Sequence, residues 1–145
     1  MNFIRALKEE HRQLERELIE LEEIISSEII NYPNLIHVYK RLHDFWNKHE
    51  REEEMIFPIL KHEKIVVPVR LMFFEHSQLS PHKEALINAI NSGNDSKIKE
   101  ALGRHATVII LKLREHINKE DEVLYRITLE QFTDEEIERA AGLIK

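Results

Sequence analysis

The chain has 145 residues, 42% hydrophobic and 33% charged, a balance that suits a single soluble domain with one core and is too apolar for a disordered chain. Its formal net charge is −6 with no basic stripe, so nucleic acid is not an expected partner. There are no cysteines, which excludes disulfides, thiolate metal sites and iron–sulfur clusters, while nine histidines stand out for this length.

The N-terminal segment MNFIRALKEEH runs straight into an amphipathic charged pattern rather than a signal peptide. A first helix follows, with Phe3, Leu7, His11, Leu14, Leu18, Leu21 and Ile25 on one stripe. A break at 26–33 ends in Asn31-Tyr32-Pro33, where Pro33 suits a first helical turn. The second stripe reads Leu35, Val38, Leu42, Phe45, His49, Glu53, Ile56 and Leu60. A break at 64–68 leads to the third: Val69, Met72, His76, Leu79, Leu86, then Ala89 or Ile90. The turn cluster 91–96 carries a ready N-cap and opens the fourth: Leu102, His105, Ile109, Leu113, His116, Glu120, Val123 and Ile127. Thr133 and Glu136 form a capping box for a short fifth helix, with Phe132 stapled to Ile137. The wholly apolar runs, such as 108–111, are too short to cross a bilayer, so neither a membrane nor a non-cytoplasmic location is expected. The predicted fold is all-α: one domain over 1–145, with an up-down-up-down four-helix bundle over 1–130 and a short C-terminal helix over 133–145.

Histidines and glutamates occupy stripe positions that call for apolar residues. His49 and Glu53 are four apart, as are His116 and Glu120, so each pair points one way from its helix, one turn apart. The first and third helices add His11 and His76. In an antiparallel bundle, residues at one height lie equally far from the connecting turn. His11 is 20 residues before a turn near Asn31, and the His49/Glu53 midpoint is 20 after it. About a turn near Ile65 the distances are 14 and 11, and about one near Asn94 they are 18 and 24. The worst mismatch, six residues, is about 9 Å along a helix. The six side chains are therefore expected to meet in one layer.

Two carboxylates in an apolar core need compensation. No lysine or arginine is read onto the stripe at that level, so one or two dications are expected, and mixed imidazole and carboxylate ligands suit iron better than calcium or magnesium. The segments His49-Glu-Arg-Glu-Glu53 and His116-Ile-Asn-Lys-Glu120 repeat, which suggests two hairpins, each giving two histidines and one glutamate, with one metal apiece. Ferritin-like sites use Glu-x-x-His, and zinc proteases His-Glu-x-x-His; neither motif occurs here. His105 reads as a core histidine, and His37, His43, His62 and His82 as surface or loop residues. Glu52, Glu54 and Glu75 read as solvated. Trp46, Phe45, Phe57, Phe73 and Tyr125 read as packing, with Tyr125 able to come near the site. Leu14, Ile56, Leu79 and Val123 read as its apolar walls.

The motif His49-x-x-x-Glu53-Glu54 followed by Ile56-Phe57-Pro58 resembles the hemerythrin-like family, also called the HHE cation-binding domain. The resemblance covers residues 1 to about 130, and places His11, His49, Glu53, His76, His116 and Glu120 at the family's ligand positions. It implies two iron ions in an oxo- or hydroxo-bridged centre, with a small diatomic ligand or peroxide as partner. Oxygen-carrying members have a second histidine one turn after His76, where this chain has Ser80, and use His-x-x-x-x-Asp on the last helix, a spacing that Asp121 meets. Glu50, or His82 if Pro81 kinks its helix, are further candidate ligands. Dioxygen binding is the expected function; the alternatives are a di-iron oxidoreductase acting on peroxide, nitric oxide or iron, and an oxygen or iron sensor.

Overall fold

A computed structural model of the chain describes residues 2–64 and 67–144. Ile65 and Val66, at the centre of the expected second turn, lie outside the described residues.

Helix α1 spans Phe3–Ile25 and starts on Asn2, whose side-chain oxygen accepts from the backbone N–H groups of Ile4 and Arg5. Helix α2 spans Tyr32–Glu63, capped by Asn31, with Pro33 in the first turn as expected. Helix α3 spans Val69–Asn91 and carries Pro81 internally. Gly93 then turns the chain at φ 66°, a left-handed conformation that glycine adopts without steric cost.

The fourth rod begins on its cap, Asn94. It is a continuous run of α4 (Asp95–Ala101), a π-helical segment (Leu102–Ala106), α5 (Thr107–Lys119), a second π-helical segment (Glu120–Tyr125) and α6 (Arg126–Gln131). The periodicity predicts one regular α-helix here, and the π segments are a departure from it. Each π turn takes in an extra residue and rotates the residues C-terminal to it about the helix axis. This absorbs part of the 18-against-24 mismatch in height between His76 and the His116/Glu120 pair. It also interrupts the stripe at His105, which is half-buried against His82 rather than a core residue, the Nδ1 atoms 2.9 Å apart. Helix α7 (Asp134–Gly142) starts on the predicted capping box of Thr133 and Glu136.

Two apolar clusters fill the bundle. One joins the start of α1 (Ile4, Leu7), the end of α2 (Ile56, Phe57, Leu60), the start of α3 (Val69, Met72), Leu124 and Tyr125 of the fourth rod, and Ile137 of α7. Phe132 and Ile137, the pair expected to form a staple, both belong to this cluster. The other joins the end of α1 (Leu18, Leu21), the start of α2 (Leu35, Leu42), the end of α3 (Leu86, Ile90) and Ile98 and Ile109. Helix starts meet helix ends in alternation, so the rods run up, down, up and down. Each such side chain, fully buried, contributes roughly 1.5–3 kcal/mol of transfer free energy against the conformational entropy of ordering it. Phe73 departs from the expected packing: it is 39% exposed on α3. Among the described residues, no helix is long and apolar enough to cross a membrane.

Candidate metal centre

Between the two apolar clusters lies a polar layer. His11 follows Leu7 and precedes Leu14 on α1; His49 and Glu53 lie between Trp46 and Ile56 on α2; His76 lies between Met72 and Leu79 on α3; His116 and Glu120 lie between Leu113 and Leu124 on the fourth rod. All six side chains are buried, Glu53 completely. The structure thus brings the six sequence-predicted residues together at one level.

The inward atoms are the histidine Nε2 nitrogens and the glutamate oxygens. His11 Nε2 is 3.0 Å from Glu120 Oε1, and His49 Nε2 is 3.4 Å from Glu53 Oε2. His76 Nε2 is 3.1 Å from Glu53 Oε1, and His116 Nε2 is 3.0 Å from Glu120 Oε2. The atoms fall into two sets, His11, His49, Glu53, Glu120 and Glu53, His76, His116, Glu120, each with its ligand atoms within 4.8 Å of one another. Both carboxylates belong to both sets, and each histidine to one of the two; His76 also belongs to a third, outer group with Glu50 and Glu54.

Three of the four rings are held from behind by carboxylates. His49 Nδ1 is 2.8 Å from Glu10 Oε1, His116 Nδ1 is 2.8 Å from Glu75 Oε1, and His11 Nδ1 is 2.8 Å from Asp121 Oδ1. An ionised carboxylate only accepts, so each Nδ1 carries the proton and donates it, leaving Nε2 to face inward. Burial works to raise the Glu10 and Glu75 carboxyls, but the histidine and lysine bonds outweigh it and hold both below the usual carboxylate range. The sequence reads Glu75 as solvated and does not single out Glu10. Asp121 is not directed into the cluster; it orients His11 from outside, and Glu120 is the inward carboxylate of that pair of neighbours.

The fourth ring is different. His76 Nδ1 is buried without a hydrogen-bond partner, with Glu50 Oε2 at 3.6 Å and Glu54 Oε2 at 3.9 Å. Glu50 is itself buried and accepts from Lys83 Nζ at 3.2 Å. Lys83, only 5% exposed, also donates to Asn47 Oδ1 at 2.7 Å and sits over the Trp46 ring. Lys83 lies two turns after His76 on the inner face of α3, away from the level of the six residues, and touches the edge of the layer through Glu50. Two expectations are corrected. His82 pairs with His105 and does not reach the cluster. Val123 is 37% exposed; the π segment that begins at Glu120 turns Leu124 and Tyr125 inward instead.

Tyr125, which the sequence places only near the site, lies inside the cluster. Its ring stacks on His11, and its hydroxyl donates to Glu53 Oε2 at 2.5 Å.

The electrostatics of the layer ask for cations. Burial alone would depress the imidazoles, yet the carboxylates reverse this: Glu53 and Glu10 push His49 up to about 10, and Glu120 and Glu53 push His76 up to about 10. Burial would raise Glu120, but the His11, His116 and His76 imidazoles beside it carry it well below its ordinary value. Without metal, protons on the imidazoles balance the buried glutamates. One atom escapes that scheme. Glu120 Oε2 lies near His116 Nε2 but lacks hydrogen-bond alignment, and it is buried without a partner. A lone pair left in a dry core next to converging imidazoles fits a metal ion better than a hydrogen-bond network.

A four-helix bundle with a buried His/Glu cluster of two linked sets defines a metal-binding helical protein. The chain belongs to the hemerythrin family: the model of the hemerythrin HHE cation binding domain matches residues 2–128. No curated protein and no solved structure matches the chain significantly.

Proposed function

We propose that the protein holds two iron ions in this layer and binds dioxygen, or a related small ligand such as nitric oxide or peroxide, beside them. The observation that carries the reading is the pair of two-histidine sets that share Glu53 and Glu120. Two shared carboxylates suit two ions better than one, and the imidazole–carboxylate donor set suits iron. Bound iron would supply reversible one-electron chemistry and a coordination position for the ligand.

The remaining work falls to the chain. His11 and His49 form one end of the site and His76 and His116 the other. Glu10, Glu75 and Asp121 fix the tautomer and direction of three rings. Leu14, Ile56, Leu79 and Leu124 flank the layer and limit water. On the third helix, Ser80 stands where the oxygen carriers have a further histidine, which leaves room for an external ligand on the His76 side.

A specific observation also supports a second reading, a di-iron oxidoreductase acting on peroxide, nitric oxide or iron. The Tyr125 hydroxyl lies inside the cluster, and the Lys83–Glu50 pair lies beside it, so proton donors stand close to the site.

The test is anaerobic purification of the full chain, an iron count, and absorption spectra on adding dioxygen, azide and peroxide. A spectrum that reverses when dioxygen is removed supports binding. Prompt irreversible oxidation with peroxide or nitric oxide turnover supports the enzyme. Iron well below two per chain, with metal content unchanged in His49→Ala, contradicts both.

A further inference from the structure

We propose that Tyr125 is itself a metal ligand, closing the half-site of His11 and His49, so that the two halves of the centre are inequivalent. The inference rests on the di-iron proposal and extends it to one residue.

The Tyr125 oxygen is 2.5 Å from Glu53 Oε2, 3.2 Å from His11 Nε2 and 3.4 Å from His49 Nε2. Neighbouring ligand atoms around an octahedral ion with bonds of about 2.1 Å are separated by roughly 3 Å. The phenol oxygen thus stands among three donor atoms at the spacing of neighbours in one coordination shell. A purely outer hydrogen-bonding group would touch the far oxygen or nitrogen of a ligand, as Glu10 touches His49 Nδ1. Tyr125 touches the inward atoms.

The two halves of the layer also differ. In the repeat that relates His49 to His116 and Glu53 to Glu120, the residue corresponding to Tyr125 is Pro58. Proline offers no donor, so His76 and His116 receive no matching group from α2. A cavity of about 400 Å³ reaches His116 from outside, lined by Glu75, Leu79, His82 and Lys119. One half-site has a phenol oxygen among its inward atoms and the other has no matching donor.

Tyr125 is fully buried, its ring stacked on His11 and on Phe57, so the oxygen has little freedom to leave the cluster. The π segment Glu120–Tyr125 is what points it inward. On metal binding the phenol O–H bond is exchanged for an O–metal bond and the proton is released to solvent, as with other acidic ligands. Glu53 Oε2 loses the hydrogen it accepted and becomes free to ligate.

The test uses the full chain loaded anaerobically with ferrous iron and then oxidised by dioxygen, which takes the electrons. Ferric phenolate gives a visible charge-transfer band whose resonance Raman spectrum shows tyrosine ring modes. Those modes are expected in the wild type and in Tyr39→Phe, which removes the other buried tyrosine, and are expected to vanish in Tyr125→Phe. Should Tyr125→Phe fail to fold, growth of the wild type on ring-deuterated tyrosine serves instead, and the modes must then shift. A wild type that holds two irons per chain yet shows no ring modes, or modes that persist in Tyr125→Phe, overturns the Tyr125 assignment and leaves the di-iron reading standing. A wild type that holds no iron overturns both.

Discussion

Replacing Glu10 with alanine removes a group that touches no inward ligand atom and should nevertheless weaken metal binding. Glu10 Oε1 accepts from His49 Nδ1 at 2.8 Å, and Oε2 accepts from Lys48 at 2.8 Å, so the carboxylate is tethered as well as charged. Its loss frees the His49 ring to rotate, and it lowers the basicity of Nε2. Partners of this kind are worth about 10–100-fold in metal affinity, or roughly 1.4–2.7 kcal/mol. The fold should lose about 1–3 kcal/mol as well, because the buried His49 Nδ1–H is left without its acceptor, while the solvent-facing Lys48 pair adds little. Glu54→Ala is the matched control. Its carboxylate lies 3.9 Å from His76 Nδ1, beyond hydrogen-bond range, and should change affinity by no more than about 3-fold. The assay is competition for metal against a chelator of known affinity, with circular dichroism confirming equal helicity. Equal losses in the two variants would refute the claim that hydrogen-bonded outer carboxylates hold the rings.

The same geometry has other consequences. Lys83→Met strands the buried Glu50 carboxylate and should destabilise the metal-free protein by about 3–5 kcal/mol in urea unfolding; the double variant with Glu50→Leu should recover most of that, and no recovery would contradict the pairing. His49 and His76 are raised in the folded metal-free protein to about 10. Protonation therefore stabilises that form fully below the unfolded histidine value of about 6.5, and the contribution fades as pH rises towards 10. Its Tm should fall across that window, while a rising Tm would show that the imidazoles are not the counter-cations of Glu53 and Glu120. Ile137→Ala should cost about 2–5 kcal/mol by opening a cavity where α7 joins the bundle, without changing metal stoichiometry.

The buried His/Glu layer is legible because its residues break a pattern. A histidine or glutamate on an otherwise apolar stripe is conspicuous, and antiparallel counting brings six of them to one height. The outer carboxylates are much less so. Glu10 and Glu75 lie at the edges of their helices, where an acidic residue usually means solvent. Their one signal is relational: each immediately precedes a histidine, His11 or His76, and supports the histidine of the next helix in its hairpin. Asp121 is ambiguous by spacing alone, since both it and Glu120 lie near one turn from His116. The π segment resolves it by directing Glu120 inward and Asp121 to the back of His11. That segment also exchanges Val123 for Leu124 and Tyr125 on the inner face, which a fixed helical period misses. Lys83 escapes notice because a lysine between Leu79 and Leu86 resembles a gap in the stripe, and its compensation by Glu50 and Asn47 depends on contacts between helices.

The proposed centre is two metal ions held by two histidine pairs that share two glutamates. Anaerobic titration of the metal-free full chain with ferrous iron counts them. The expected endpoint is two ions per chain in the wild type, falling to one or fewer when Glu53 or Glu120 is replaced by alanine, because each serves both halves. An endpoint at one ion in the wild type, or two ions retained in both glutamate variants, would contradict it.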